Sequence, residues 1–219
     1  MLTYKDIKNS EEIKTYIRMA DKSLDALGYT EHSFAHVGLV SERAGEILKT
    51  LGYLPREIEL VKIAGYLHDI GNIVNRKEHS QSGAIIAFRI LDKLGMSADE
   101  ISIIVSAIGN HDEGTGEGVN PIASALIIAD KSDVRRTRVR NTDATTFDIH
   151  DRVNYSVIKS SLEVDGKSRV ITLRLEIDTE ISPVINYFEI FLNRMLMCQK
   201  AAKTLNTDFK LIINNQQIM

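Results

Sequence analysis

Apolar residues recur at three- and four-residue steps through the first 136 positions, the period of helices that bury one face. Ile13, Ile17, Ala20 and Leu24 predict a helix over 4–27 that Gly28 stops. Val37, Val40, Ala44, Ile47, Leu48 and Leu51 mark a second over 33–51, ended by Gly52. Pro55 suits the first turn of a third, which runs through Ile58, Val61, Ala64 and Leu67 to about Ile70. A fourth spans 80–94. A fifth opens on the capping-box pattern Ser97-Ala98-Asp99-Glu100 and buries Ile101, Ile104, Val105 and Ile108. Asn120-Pro121 caps a sixth, with Ile122, Ala125, Leu126 and Ala129 inward.

The period then changes. Residues 137–152 are polar and read as a loop, while 153–164 and 169–178 carry strand patterns. In the second, Ile171, Leu173, Leu175 and Ile177 alternate with Thr172, Arg174 and Glu176. Asp165-Gly166 between them is a hairpin signal. Ser182-Pro183 opens a helix with Val184, Phe188, Phe191, Leu192 and Met195 on one face, and Phe209, Leu211 and Ile213 alternate as a last strand. The predicted fold is mainly α: a helical bundle over 1–136, a linker loop over 137–152, and a small α+β (β-β-α-β) unit over 153–219 with an antiparallel sheet.

Composition narrows the function classes only coarsely. The chain has 219 residues, 43% hydrophobic and 26% charged, which are ordinary globular values. A net charge of −3 advertises neither long nucleic acid nor anionic lipid as a partner. No window approaches the ~18 apolar residues of a membrane helix, and the start lacks the apolar run of a signal peptide. The single cysteine, Cys198, allows no internal disulfide and reads as core filler in a cytoplasmic protein.

The informative feature is where polar residues interrupt apolar stripes. His68 continues Ile58, Val61 and Ala64; His111 continues Ile101, Ile104 and Ile108; His79 leads Gly83, Ile86 and Ile90. Asp130 follows Leu126 by four, and His36 precedes Val40 by four. A lone inward histidine is normally a hydrogen-bonded core residue. Several inward imidazoles and carboxylates on five helices are costly unless they satisfy one another or share a cation. Adjacent His68 and Asp69 diverge by about 100° on a helix, so they grip one ion from two directions or let the carboxylate bridge two. Imidazole with carboxylate suits Fe, Mn, Zn, Co or Ni rather than Ca or Mg alone.

The order His36 … His68-Asp69 … Asp130 resembles the signature of the HD superfamily of metal-dependent phosphohydrolases, as do Ala64-Gly65-Tyr66-Leu67-His68-Asp69-Ile70-Gly71 and Ile127-Ile128-Ala129-Asp130-Lys131. The resemblance covers about 30–138 and implies an all-helical bundle in which His36, His68, Asp69 and Asp130 hold one metal. His79-Ser80-Gln81-Ser82-Gly83-Ala84 and Ala107-Ile108-Gly109-Asn110-His111 are similar to two-metal members, especially YqeK-like dinucleotide-polyphosphate hydrolases. That implies a second ion on His79 and His111 with Asp69 bridging, and His68 and Asp69 as the catalytic pair. One departure stands out: the family often has Lys three positions after the Asp, and here that position is Asn72.

The nearest replacement cations follow Asp130. Arg135, Arg136 and Arg138 are candidate phosphate-binding residues, Arg135 or Arg136 being expected to turn inward from the helix end and Lys131 to lie on another face. Asp133 could lock one of them. Gly114-Thr115-Gly116-Glu117-Gly118 lacks the strand and Lys-Ser/Thr of a P-loop and reads as a flexible loop beside His111. His32 reads as a supporting or surface residue, and His150 has no assigned role. The implied activity is cleavage of a phosphoester or phosphoanhydride of a small substrate, a nucleotide or dinucleotide, by a metal-activated hydroxide; phosphodiesterase chemistry falls within it. The alternatives are a di-iron oxygenase on the same scaffold and a non-catalytic nucleotide-binding sensor. Homo-oligomerisation is left open by the sequence.

Overall fold

Ser10 divides the first predicted helix in two. In the computed structural model, which describes all 219 residues, α1 (Tyr4–Asn9) ends and α2 (Glu11–Ala26) begins at this serine. Its hydroxyl accepts from Ile13 N at 3.4 Å, a local bond that competes with helix continuation. Five further helices follow as the stripes predict: α3 (Phe34–Thr50), α4 (Pro55–Leu67), α5 (His79–Lys93), α6 (Ala98–Gly109) and α7 (Pro121–Lys131). Asn120 caps α7 by accepting from Ala123 N at 2.8 Å. Ser97 caps α6, but Glu100 does not reciprocate; both its oxygens take Arg56 at 2.6 Å instead.

Residues 137–152 are more ordered than the loop their polarity predicts. They hold the end of a 3-10 turn at Arg136–Arg138, another at Ala144–Thr146, and the start of α8 (Ile149–Ser156). Asp148 caps α8 by accepting from Asp151 N. The strand pattern from 153 is therefore misread at its start: Val153 and Val157 both lie in the core, at the helical spacing of four.

β1 (Val157–Asp165) and β2 (Val170–Ile177) form the expected antiparallel hairpin, with Val164 opposite Ile171. β3 (Asp208–Ile213) runs parallel to β2, which corrects the expectation of a purely antiparallel sheet. The connection is α9 (Val184–Thr204), and a helical crossover carries the chain back to start a parallel neighbour. A short β4 (Gln216–Gln217) completes the order β1-β2-β3-β4 through a turn with Asn214 and Asn215 at positive φ.

The C-terminal part shares its core with the bundle. A single apolar cluster joins Ile104, Ile108 and Leu126 to Phe191, Met195, Leu173 and Leu211. α9 packs on α7 and buries Phe191, Met195, Cys198, Ala201 and Ala202, whereas Leu192, expected inward, is 45% exposed. No helix is long and apolar enough to cross a membrane. The α7–α9 contact has a functional consequence, because it brings side chains from the far end of the sequence to the helix that carries Asp130.

Candidate metal centre

All six predicted ligands come together, most of them at helix ends. His36 stands in the first turn of α3, and His68 caps the C-terminus of α4 with Asp69 just outside it. His79 is the first residue of α5, and Asp130 lies in the last turn of α7. His111 is not on the α6 stripe itself: α6 ends at Gly109, Asn110 caps it, and His111 lies on the following turn. The C-terminal ends of α4, α6 and α7 thus converge on one point. Each carries roughly half a negative charge, which favours a cation there.

Close backbone approach sets the His79 side of the cluster. The 3-10 turn Ile70–Ile73 presses against the start of α5. A Cβ on Gly71 would lie 1.9 Å from His79 O and 2.4 Å from Gly83 N. Only glycine permits this contact.

Each imidazole is held by its Nδ1 and points its Nε2 inward. His68 Nδ1 donates to Gly65 O (2.8 Å), His79 Nδ1 to Arg76 O (3.1 Å) and His111 Nδ1 to Ile108 O (2.6 Å). His36 Nδ1 donates to Asp133 Oδ2 at 2.7 Å. With the proton on Nδ1, a neutral imidazole presents a lone pair at Nε2. Those lone pairs meet: His36 and His68 Nε2 are 3.3 Å apart, and His79 and His111 Nε2 are 3.1 Å apart. Asp130 Oδ1 stands 3.3 Å from His36 Nε2 and 3.6 Å from His68 Nε2.

Asp69 spans the two pairs. Its Oδ2 lies 3.3 Å from His68 Nε2 and 3.5 Å from His36 Nε2, while Oδ1 lies 3.5 Å from His79 Nε2. Oδ2 is buried and has no hydrogen-bond partner. Facing lone pairs with an orphaned carboxylate oxygen among them are electrostatically untenable without a positive charge in their midst. The chain therefore has groups able to hold a metal: His36, His68 and Asp130 form one ligand set, and His68, Asp69 and His111 another. The donors are imidazole nitrogen and carboxylate oxygen, which fit a divalent transition ion.

The electrostatics agree. Burial would lower His68, but Asp69 and Asp130 outweigh it and raise its pKa to about 10, so a proton fills the cation's role when none is bound. Burial, then His68 and His79, hold His111 well below its ordinary value, which keeps it a lone-pair donor. Burial would raise Asp69 and Asp130, yet facing imidazoles and, for Asp130, Lys131 keep both well below the usual carboxylate range.

Several supporting residues lie outside the predicted set. Asp133 is buried and fixes His36; it also accepts from Arg135 Nε at 2.7 Å, so it does lock an arginine. Lys131, expected to face elsewhere, is buried and pairs with Asp130 Oδ2 (2.8 Å) and Glu113 Oε2 (2.7 Å). Asn72 does not replace the missing lysine; it donates to Asp69 Oδ1 at 2.9 Å. Arg76, four residues on, brings the cation, with Nη1 3.3 Å from His79 Nε2 and 3.9 Å from Asp69 Oδ1. The glycine-rich loop is pinned rather than free: Glu113 is tied to Lys131 and Arg194, and Gly116 sits so close to Asn110 O that a Cβ would be 2.2 Å away.

The arginine expectation is corrected. α7 stops at Lys131, so no helix extends to Arg135 or Arg136. Arg135 is committed to Asp133 and Glu31, and Arg136 to Tyr155, whose ring its guanidinium overlies at 4.5 Å. Arg138 alone of the three lines a 410 Å3 cleft that also contains His32 and Arg76. His32 stacks edge-on to His36 with ring centroids 5.4 Å apart.

The family model of the HD domain matches residues 31–172, a span that contains all six converging residues and ends before α9. The chain is similar to the uncharacterized protein MJ1020 of Methanocaldococcus jannaschii, with 23% identity over 202 residues, 82% of this chain and 77% of that protein. It is also similar to a predicted HD superfamily hydrolase from an uncultured Thermotogales bacterium, known from its crystal structure. That match has 26% identity, covers 57% of this chain and 67% of the other, and gives a TM-score of 0.44.

Proposed function

The chain belongs to the HD-domain family, and from that premise we propose that it is a metal-dependent phosphohydrolase acting on a small phosphorylated substrate, a nucleotide or dinucleotide. The observation that carries the reading is the position of Asp69 between two pairs of imidazoles whose Nε2 atoms face one another. The reading assigns His36, His68, Asp69 and Asp130 to one ion and His79 and His111, with Asp69 shared, to a second. This is the two-ion arrangement of the YqeK-like members.

A divalent transition ion supplies, when bound, a Lewis acid that lowers the pKa of water toward neutrality. The residues around it have distinct tasks. Asp133 takes the Nδ1 proton of His36 in a hydrogen bond and so fixes the ring with Nε2 free. Lys131 occupies Asp130 Oδ2 and leaves Oδ1 for the centre. Asn72 donates to Asp69 Oδ1 and restrains its rotation. Burial of His36, His68 and His111 keeps water away from the ligands and strengthens the interactions among them. A cytoplasmic setting accords with the one cysteine, Cys198, free and buried.

The test is a panel of nucleoside monophosphates, dinucleotide polyphosphates and sugar phosphates, incubated with metal-reconstituted protein and assayed for released phosphate. The reading expects chelator-sensitive turnover that His68→Ala and Asp69→Ala abolish. Phosphate release unaffected by both variants would contradict it.

A further inference from the structure

The cleft beside the metal centre is walled partly by α9, which lies outside the part of the chain matched by the HD family. Three guanidinium groups line it: Arg76 from the loop before α5, Arg138 from the turn after α7, and Arg194 from α9. They come from sequence-distant segments, and each is linked to a different part of the ligand set. Arg76 Nη1 is 3.9 Å from Asp69 Oδ1. Arg138 Nη1 is 3.8 Å from Asp133 Oδ2, the carboxylate that holds His36. Arg194 Nε donates to Glu113 Oε1 at 2.7 Å; Glu113 Oε2 pairs with Lys131, and Lys131 with Asp130. These cations thus sit around one face of the centre.

Each also keeps donors in reserve. Arg194 uses only Nε within the chain, so its two Nη groups carry no hydrogen bond to protein. Arg138 spends Nε on Glu31 O and Nη1 on Asp133 O, leaving Nη2. Arg76 bonds only through Nη1. Internal contacts fix the orientation of Arg194 in particular: its guanidinium stacks on Phe191 at 4.6 Å while Glu113 holds its Nε edge. A guanidinium gripped on one edge offers the other as a preorganised fork, the geometry that matches phosphoryl oxygens. The Asp148 and Asp151 carboxylates also line the cleft; the three uncommitted cationic edges outnumber them and call for an anion of more than one oxygen.

We infer that Arg194 of α9 is a ligand-binding residue that, together with Arg76 and Arg138, takes the phosphoryl group of an anion in this cleft. The choice of a phosphoryl anion rests on the phosphohydrolase reading; the cleft and its cations do not. The C-terminal part is then a wall of the site, and the Asn72 departure is met by cations from elsewhere in the chain.

The test is calorimetric titration of the metal-loaded full chain with inorganic phosphate and, separately, with AMP. Arg194→Gln is expected to weaken both by about 10- to 100-fold at unchanged metal content. Arg194→Lys preserves the Glu113 ion pair, and so the fold if Arg194→Gln proves unstable; it is expected to bind both about tenfold more weakly. Arg174→Gln, on the exposed face of β2, is the control. Unchanged phosphate affinity in folded Arg194→Gln or Arg194→Lys overturns the inference, as does loss of AMP binding alone or failure of the wild-type chain to bind phosphate. The two readings separate cleanly. Turnover with KM and kcat unaltered by Arg194→Gln sinks the inference and leaves the hydrolase. Arg194-dependent phosphate binding without any turnover keeps the inference and sinks the hydrolase.

Discussion

The Nδ1 of His36 donates to Asp133 Oδ2 across 2.7 Å, tying the first turn of α3 to the turn that follows α7. The Asp133 carboxylate pairs with no other predicted ligand, and Arg135 and Arg138 stand on its other side. A carboxylate behind a ligating imidazole fixes the tautomer and makes the inward nitrogen more basic. Asp133→Ala is therefore expected to weaken binding of the ion held by His36 by about 10- to 100-fold. Competition against a chromophoric chelator measures this, and an unchanged affinity would leave Asp133 a purely structural anchor.

Gly71 tests how the second half of the centre is built. An added methyl meets backbone atoms of His79 and Gly83, not a flexible side-chain end. Gly71→Ala should displace the start of α5 and with it His79. The expected result is loss of one bound ion and a lower melting temperature, on the order of 1–3 kcal/mol of overpacking cost. Metal analysis of the purified variant reads the first, calorimetry the second. Full metal content at an unchanged melting temperature would refute the packing argument.

The pH dependence follows from His68. Its pKa in the metal-free protein rises from 6.5 to about 10. A raised imidazole pKa stabilises the fold fully below the unfolded value and loses that contribution as pH climbs through the folded one. Chelator-treated protein should therefore lose thermal stability between about pH 7 and 10, while metal-loaded protein, with the lone pair engaged, does not. A metal-free melting temperature that rises over this range would contradict the assignment.

The oxygenase alternative uses the same donors but a different reaction. With iron bound and a phosphorylated substrate present, the hydrolase reading expects phosphate release with no dioxygen uptake. An oxygen electrode decides the matter, and uptake coupled to substrate loss would favour the oxygenase.

How much of this was legible in the sequence depended on distance along the chain. His36, His68, His79 and Asp130 could be found because each interrupts or leads an apolar stripe, and a stripe is a local pattern. His111 was found by the same extrapolation although α6 stops short of it. The arginines fared differently. Their expected direction relied on helix continuing past Asp130, but Ser132 accepts no further turn and bonds its hydroxyl back to Ala129 O, and Arg135 is extended. Glu113, Arg76 and Arg194 gave no signal beyond their charge: the first two stand on irregular loops, and only the packing of α9 on α7 brings Arg194 to the centre. Likewise, Val153 and Tyr155 have strand character, but the Asp148 cap turns them into α8.

Whether Asp69 joins two ions is decided by the metal content of chain purified without chelator, set beside that of Asp69→Ala. Close to two divalent transition ions per wild-type chain are expected, with fewer than one retained in Asp69→Ala and phosphate release lost in step. Wild-type chain that binds no more than one ion, with Asp69→Ala retaining it, would rule out a bridging Asp69.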